Sequence, residues 1–442
     1  MKAYVVLISL VAACGGLLFG FDTAVISGVI PFIRPYFALS EAGVGWAVSS
    51  VILGCILGTQ LAGRPADRYG RKKTLIFTAL LFFISAIGSA LSGSFATFVL
   101  FRVAGGIAVG GASVLSPIYI AEVAPAQYRG RLVAANQLTL VIGILLAFFT
   151  NYLLAGLHEN NWRWMLGIMA VPAFVFFVML LVLPESPRWL FIKGRRKECE
   201  KVLRKLSGPE QATAAIKQME ASGQTKKVRI VLNDLFTRPY KRLLILGIVL
   251  ALLQQFTGIN IIMYYAPVIF EASGAGISHA LLQTISIGVI NLLATVLAMF
   301  VVDKIGRKPL LVYGQLAMAI FMAVLSATYL LDYMERKVVI IAILSFIASF
   351  ALTSGPVTWV LISEIYPNHI RGTAVSIATF FLWVAAFLVS YSFPIMLKHW
   401  HGGVTFLFYA LINLGGFFFV KTFLQETKGK SLEELEAMTI KP

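Results

Sequence analysis

Acidic charge is scarce in this chain. Asp and Glu number 20 against 37 Lys and Arg in 442 residues, and charged residues of both signs make up 13%, where a soluble domain carries ~25%. With 59% hydrophobic residues, such a chain could not cover its own surface with polar groups, which excludes disordered, coiled-coil and ordinary soluble classes. Cysteine is almost absent. Cys14, Cys55 and Cys199 form an odd, scattered set, neither a disulfide framework nor a zinc site. There is no Asn-x-Ser/Thr sequon and no Gly-x-Ser-x-Gly elbow, and His158-Glu159-Asn160-Asn161-Trp162 fails the His-Glu-x-x-His pattern. Gly429-Lys430-Ser431 ends like a Walker loop, but its upstream glycine position, 424, is Leu. No enzyme, metal, nucleotide or other cofactor is expected.

Long apolar runs are abundant instead. Twelve are long enough to cross ~30 Å of hydrocarbon at ~20 residues each: 4–31, 43–63, 74–92, 97–121, 132–157, 164–183, 243–270, 280–302, 309–331, 338–363, 373–397 and 403–420. The expected fold class is an all-α membrane protein of twelve transmembrane helices. The first run is too long for a cleavable signal peptide. With the N-terminus in the cytoplasm, Arg34, Arg163, Arg336, Lys337 and Lys398 fall outside, Arg102 falls within a span, and every other Lys and Arg falls inside. By the positive-inside rule both termini are cytoplasmic. The net charge of +17 is therefore a topology signal, not a nucleic-acid footprint. One polar stretch, 185–242, divides the spans six and six. The expected organisation is an N-terminal bundle (1–184), a cytoplasmic linker (185–242) with helical patterns near 196–206 and 209–221, a C-terminal bundle (243–424) and a tail (425–442).

The halves repeat. Asp67-Arg68-Tyr69-Gly70-Arg71-Lys72 returns as Asp303-Lys304-Ile305-Gly306-Arg307-Lys308, Glu122-x-x-Pro125-x-x-x-Arg129-Gly130 as Glu364-x-x-Pro367-x-x-x-Arg371-Gly372, and Glu185-Ser186 as Glu426-Thr427, each about 240 residues later. Parallel six-helix repeats of this kind build secondary transporters, whose halves rock to give alternating access. The charges recur at cytoplasmic helix ends, where acids and arginines can pair with each other and with helix termini. Asp67, Arg71, Glu122, Arg129, Glu185, Asp303, Arg307, Glu364 and Arg371 are expected to form a network that latches the inner side.

Four segments, Gly15-Gly16-Leu17-Leu18-Phe19-Gly20-Phe21-Asp22-Thr23, Gly63-Arg64-Pro65-Ala66-Asp67-Arg68-Tyr69-Gly70-Arg71-Lys72, Pro184-Glu185-Ser186-Pro187-Arg188-Trp189-Leu190 and Gln254-Gln255-Phe256-Thr257-Gly258-Ile259-Asn260, resemble the sugar porter family of the major facilitator superfamily. The resemblance runs through the Glu426-Thr427-Lys428-Gly429 tail and looks nearest to bacterial proton-coupled symporters of xylose and hexoses. It implies the major facilitator fold, a monosaccharide and a proton as partners, and alternating access.

Asp22 and Arg102 are the only Asp, Glu, Lys or Arg inside the twelve runs. An ionisable residue at membrane depth marks function by default. Counted from the outer ends of spans 1 and 4 at 1.5 Å per residue, the two lie at similar depth and can pair. A contact made in one conformation only would let Asp22 take up a proton on one side and release it on the other; the resemblance implies the same proton-coupling pair. For the sugar, hydroxyls at fixed angles and an apolar face call for amides and aromatic rings in a mostly apolar cavity. Gln137, Gln254, Gln255, Asn260, Asn291, Trp359 and Trp383 provide them, and the resemblance assigns them to sugar binding with Phe19 and Gly355 close by. Gly258 suggests a break in span 7, as at transporter binding sites. Tyr264 and Tyr265, just outward, are expected at an outer gate. Leu382 stands where some family members carry an amide, which leaves the exact sugar open.

These residues read as a proton-coupled monosaccharide importer, a functional monomer in a lipid bilayer, with a bacterial inner membrane the expected location. A proton-independent facilitator is the alternative that Asp22 argues against. A non-transporting sensor is disfavoured by the short tail.

Overall fold

The computed structural model describes residues 3–157, 160–223, 240–333, 335–367 and 370–428. Twelve helices are long and apolar enough to span a membrane. Spans 1 to 6 are Ala3–Tyr36, Glu41–Leu61, Arg71–Leu91, Phe95–Val123, Arg129–Leu154 and Asn161–Val182; spans 7 to 12 are Tyr240–Ala272, Ile277–Ile305, Arg307–Leu330, Arg336–Ile362, Arg371–His399 and His401–Phe423. Each expected run has its helix, and among the described residues there is no strand. This is the arrangement that hydrocarbon imposes, because a helix satisfies its own backbone.

Local sequence sets the helix ends. Span 4 starts on a capping box: Ser94 Oγ accepts from Thr97 N while Thr97 Oγ1 accepts from Ser94 N. It stops at Ala124, before Pro125. Spans 7 and 10 are each interrupted. Span 7 consists of Tyr240–Phe256 and Ile259–Ala272, separated at Gly258 with φ +94°. Span 10 consists of Arg336–Leu352 and Ser354–Glu364, separated at Thr353. Pro356 explains the second interruption, since it has no N–H for the Leu352 carbonyl.

By its contacts the chain forms two compact units over the described residues, Met1–Val29 with Ser50–Lys227 and Ile30–Ser49 with Val228–Pro442. In the first unit, Gly54-x-x-x-Gly58 of span 2 faces Gly106-x-x-x-Gly110 of span 4. A β-carbon on Gly106 would lie 1.9 Å from Val51 O, and one on Gly54 would lie 2.2 Å from Val103 O. Small residues thus let two backbones touch, which is how helices associate where lipid offers no hydrophobic drive. The linker helices Pro187–Ile192, Arg196–Ser207 and Pro209–Gly223 belong to the same unit, with a small core of Trp189, Leu190, Cys199, Leu203 and Ala212. In the second unit, the start of span 2 packs on span 11: the Trp46 ring lies 5.8 Å from Phe387 and 6.3 Å from Tyr391. Linker residues 224–239 and tail residues 429–442 lie outside the described residues.

The glycine seam makes a prediction. Gly106→Leu should lower thermal stability by about 1–3 kcal/mol or prevent folding, measured by thermal unfolding in detergent. An unchanged midpoint would contradict the seam.

Candidate functional site

In the first unit, Arg102 of span 4 reaches Asp22 of span 1. Arg102 Nη1 donates to Asp22 Oδ1 at 2.7 Å, and Nη2 donates to the Asp22 carbonyl at 3.2 Å. Both residues are 1% exposed. Removing one member of such a buried pair costs about 3–5 kcal/mol, because the other charge is left bare. The second carboxylate oxygen, Oδ2, has no hydrogen-bond partner among the described residues. Next to it, Thr23 Oγ1 bonds the carbonyls of Phe19 and Gly20, tying Phe19 to the turn that carries Asp22. Gln137, also in this unit, is exposed on span 5.

In the second unit the amides form a chain. Asn260 Nδ2 donates to Gln255 Oε1 at 2.7 Å, bridging the break in span 7. Gln255 Nε2 donates to Gln254 Oε1 at 3.3 Å. Gln254 Nε2 then donates to the carbonyls of Ser354 and Gly355 at 3.0 and 3.2 Å, at the break in span 10. One polar thread therefore joins two interrupted helices, with Gly355 as its terminus. Asn291 on span 8 and Trp383 on span 11 are buried, while Trp359 on span 10 is 41% exposed. Leu382 is buried beside Trp383. Tyr264 and Tyr265 are both buried on the outer half of span 7, and the Tyr265 hydroxyl donates to Ser390 O at 2.7 Å while its ring lies 5.0 Å from Phe393. Tyr265 is thus tied to span 11 in this conformation.

The repeated charges assemble twice, once in each unit. In the first, Arg71 lies 3.1 Å from both Asp67 and Glu122. In the second, Arg307 lies 3.1 Å from both Asp303 and Glu364. Glu185 takes the helix-terminus part of the expected pairing. Its Oε1 accepts the backbone N–H groups of Arg71, Lys72 and Ser186 at 2.8–3.1 Å, capping the positive end of span 3. Glu426 does the same for span 9, taking Arg307, Lys308, Thr427 and Lys428 at 2.9–3.0 Å. Gly70 and Gly306, both at φ +106°, leave the room: a β-carbon on Gly70 would lie 2.1 Å from Glu185 Oε2. The hydroxyls that follow these glutamates were not anticipated as site groups. Ser186 Oγ donates to Glu122, and Thr427 Oγ1 donates to Glu364 at 2.7 Å; their recurrence in the repeat was the available signal. The two remaining arginines do not join. Arg129 is exposed, with no ion pair found among the described residues. Arg371 donates to Tyr366 O at 3.0 Å instead of to an acid, because its guanidinium folds back over its own turn.

A family model described as "Sugar (and other) transporter" matches residues 8–439. The chain belongs to this family. It is 41% identical over 480 residues to the D-xylose-proton symporter of Escherichia coli strain K12, covering 99% of this chain and 96% of that protein. It is also 41% identical over 444 residues to the arabinose-proton symporter of Bacillus subtilis strain 168, with the same coverage. Among solved structures, an inward open conformation of the E. coli xylose transporter XylE is similar with a TM-score of 0.88 at 40% identity, covering 98% of this chain and 100% of that one.

The caps make a pH prediction. Burial pushes the Glu426 carboxyl up, but the backbone N–H groups of Lys428, Arg307, Lys308 and Thr427 outweigh it and hold the group below its ordinary value. A carboxyl lowered by folding stabilises fully above its unfolded value of ~4.3, and loses that contribution as pH falls through the folded value. Between pH 6 and pH 3 the wild type should therefore lose more thermal stability than Glu426→Gln. Equal losses would contradict the cap.

Proposed function

We propose that the protein is a proton-coupled monosaccharide importer that works by alternating access. The observation that carries the reading is the buried Asp22–Arg102 pair with one carboxylate oxygen open. A proton arriving at Oδ2 cancels the charge that holds Arg102 Nη1, so protonation and the loss of this contact are one event. Rearrangement before protonation would strand two charges in a low-dielectric interior. Turnover with sugar bound but no proton is thereby disfavoured, which is the slip that coupling must exclude. A proton driven by 100 mV supplies ~2.3 kcal/mol, enough for about 50-fold accumulation at 1.4 kcal/mol per decade.

In the second unit the sugar is read by Gln254, Gln255, Asn260 and Asn291 through bidentate amide bonds and by Trp359 and Trp383 through apolar ring faces, with Gly355 beside them, while Gln137 and Phe19 are the candidates of the first unit. The symporters to which the chain is similar carry xylose and arabinose by name, which favours a pentose or hexose here. The Arg71 and Arg307 clusters with their glutamate caps act as paired inner latches. The distribution of Lys and Arg supports cytoplasmic termini in a bacterial inner membrane. One chain carries the whole set of groups, which favours a functional monomer.

Two outcomes follow. Asp22→Asn should abolish uphill accumulation in proteoliposomes while sugar exchange continues; accumulation that persists would refute the proton assignment. Gln255→Ala should weaken sugar binding by about 1–3 kcal/mol, read by calorimetry, and wild-type affinity would remove it from the sugar site.

A further inference from the structure

The break in span 7 leaves a carbonyl to be satisfied. In a continuous helix Thr257 O would accept Ile261 N, four residues on. Here Ile261 N turns to Gly258 O at 3.1 Å, and Ile262 N also points to Gly258 O at 3.3 Å. Thr257 O is thereby released inside the membrane, where a bare carbonyl is expensive. Asn413, on span 12 and 0% exposed, takes it: Nδ2 donates to Thr257 O at 3.0 Å and to Tyr409 O of its own helix at 2.8 Å. Both acceptors are carbonyls, so the amide nitrogen must face the break. The surroundings are built for this shape. Thr257 Oγ1 donates to Gln254 O at 2.7 Å, and the Tyr409 ring and Met322 Cε close over Gly258, where a β-carbon would meet them at 3.4 and 3.0 Å.

We propose that Asn413 is a positioning residue that favours the broken form of span 7, because Thr257 O accepts its amide without a backbone competitor while the helix is interrupted and would have to share it with Ile261 N in a straight one. If the helix straightens, Ile261 N reclaims Thr257 O and Asn413 must share that acceptor in hydrocarbon. The bond is therefore a differential contact between two conformations, the condition for shifting an equilibrium. It acts on the sugar groups through Asn260, which begins the outer half of span 7 and bonds Gln255 across the break. Its consequence for transport rests on the importer reading; the conformational claim does not.

The test reads the bend without sugar. Spin labels at Lys241 and Ala272, exposed near opposite ends of span 7, are placed in a full-length protein whose native cysteines are replaced. Their separation is measured by double electron–electron resonance. Gly258→Ala strains the broken form, since φ +94° disfavours a β-carbon, and brings long and short distances into measurable balance. Asn413→Leu in that background should move the long-to-short ratio about two- to ten-fold further toward long. Asn413→Ser, which keeps the bond to its own helix but cannot reach Thr257 O, should move it the same way and serves if the leucine variant does not fold. Unchanged distances in both variants, or a shift toward short, would overturn the proposal. Wild-type protein that neither binds nor moves any sugar would defeat the importer reading and leave this measurement intact.

Discussion

Hydrocarbon offers no water to a bare charge or carbonyl, and four departures from a continuous apolar helix described here come with an internal partner. Asp22 has Arg102. The break in span 10 has the side chain of Gln254. The N-termini of spans 3 and 9 have Glu185 and Glu426. Each partner lies far away in sequence, so each departure ties two helices together. Because the partner is conditional on geometry, each tie is also a place where two conformations can differ in energy.

The organisation of the second unit shows what this gives a binding site. An amide that is to meet a hydroxyl must be held, yet its polar atoms cannot be left unpaired while the site is empty. The chain Asn260–Gln255–Gln254 meets both demands by pairing amides with each other and ending on span-10 carbonyls. On the proposed reading, a sugar entering the thread would trade one set of bonds for another at both helix breaks. In the first unit the Asp22 carboxylate is held, among the described residues, by Arg102 alone, so on the proposed reading a proton would compete with that one partner.

Much of this was legible in the sequence, for stated physical reasons. Twelve spans follow from the length of apolar runs, since nothing else crosses a bilayer as helix. Asp22 and Arg102 stand out because they are the only such charges in the twelve apolar runs of the sequence, and similar depth made their pairing foreseeable. The break at Gly258 followed from glycine among amides. Other features were hidden. The Ser354-Gly355-Pro356 signal for a second break sat in a run that read as continuous. The partners of Glu185 are backbone N–H groups, which leave no residue-type signature. Tyr264 and Tyr265 are alike in sequence, but neighbours on a helix point in different directions, and only coordinates tell which is tied to Ser390. Asn413 has no signal in the sequence, because its partner is a carbonyl on another helix.

The central claim is that sugar and proton move together. The most direct measurement is the external pH of lightly buffered, de-energised cells expressing the protein, as single sugars are added from a panel of pentoses and hexoses. A brief alkaline shift with a transported sugar is the expected result. Entry of labelled sugar with no pH change would contradict the account and reduce Asp22 and Arg102 to a structural pair.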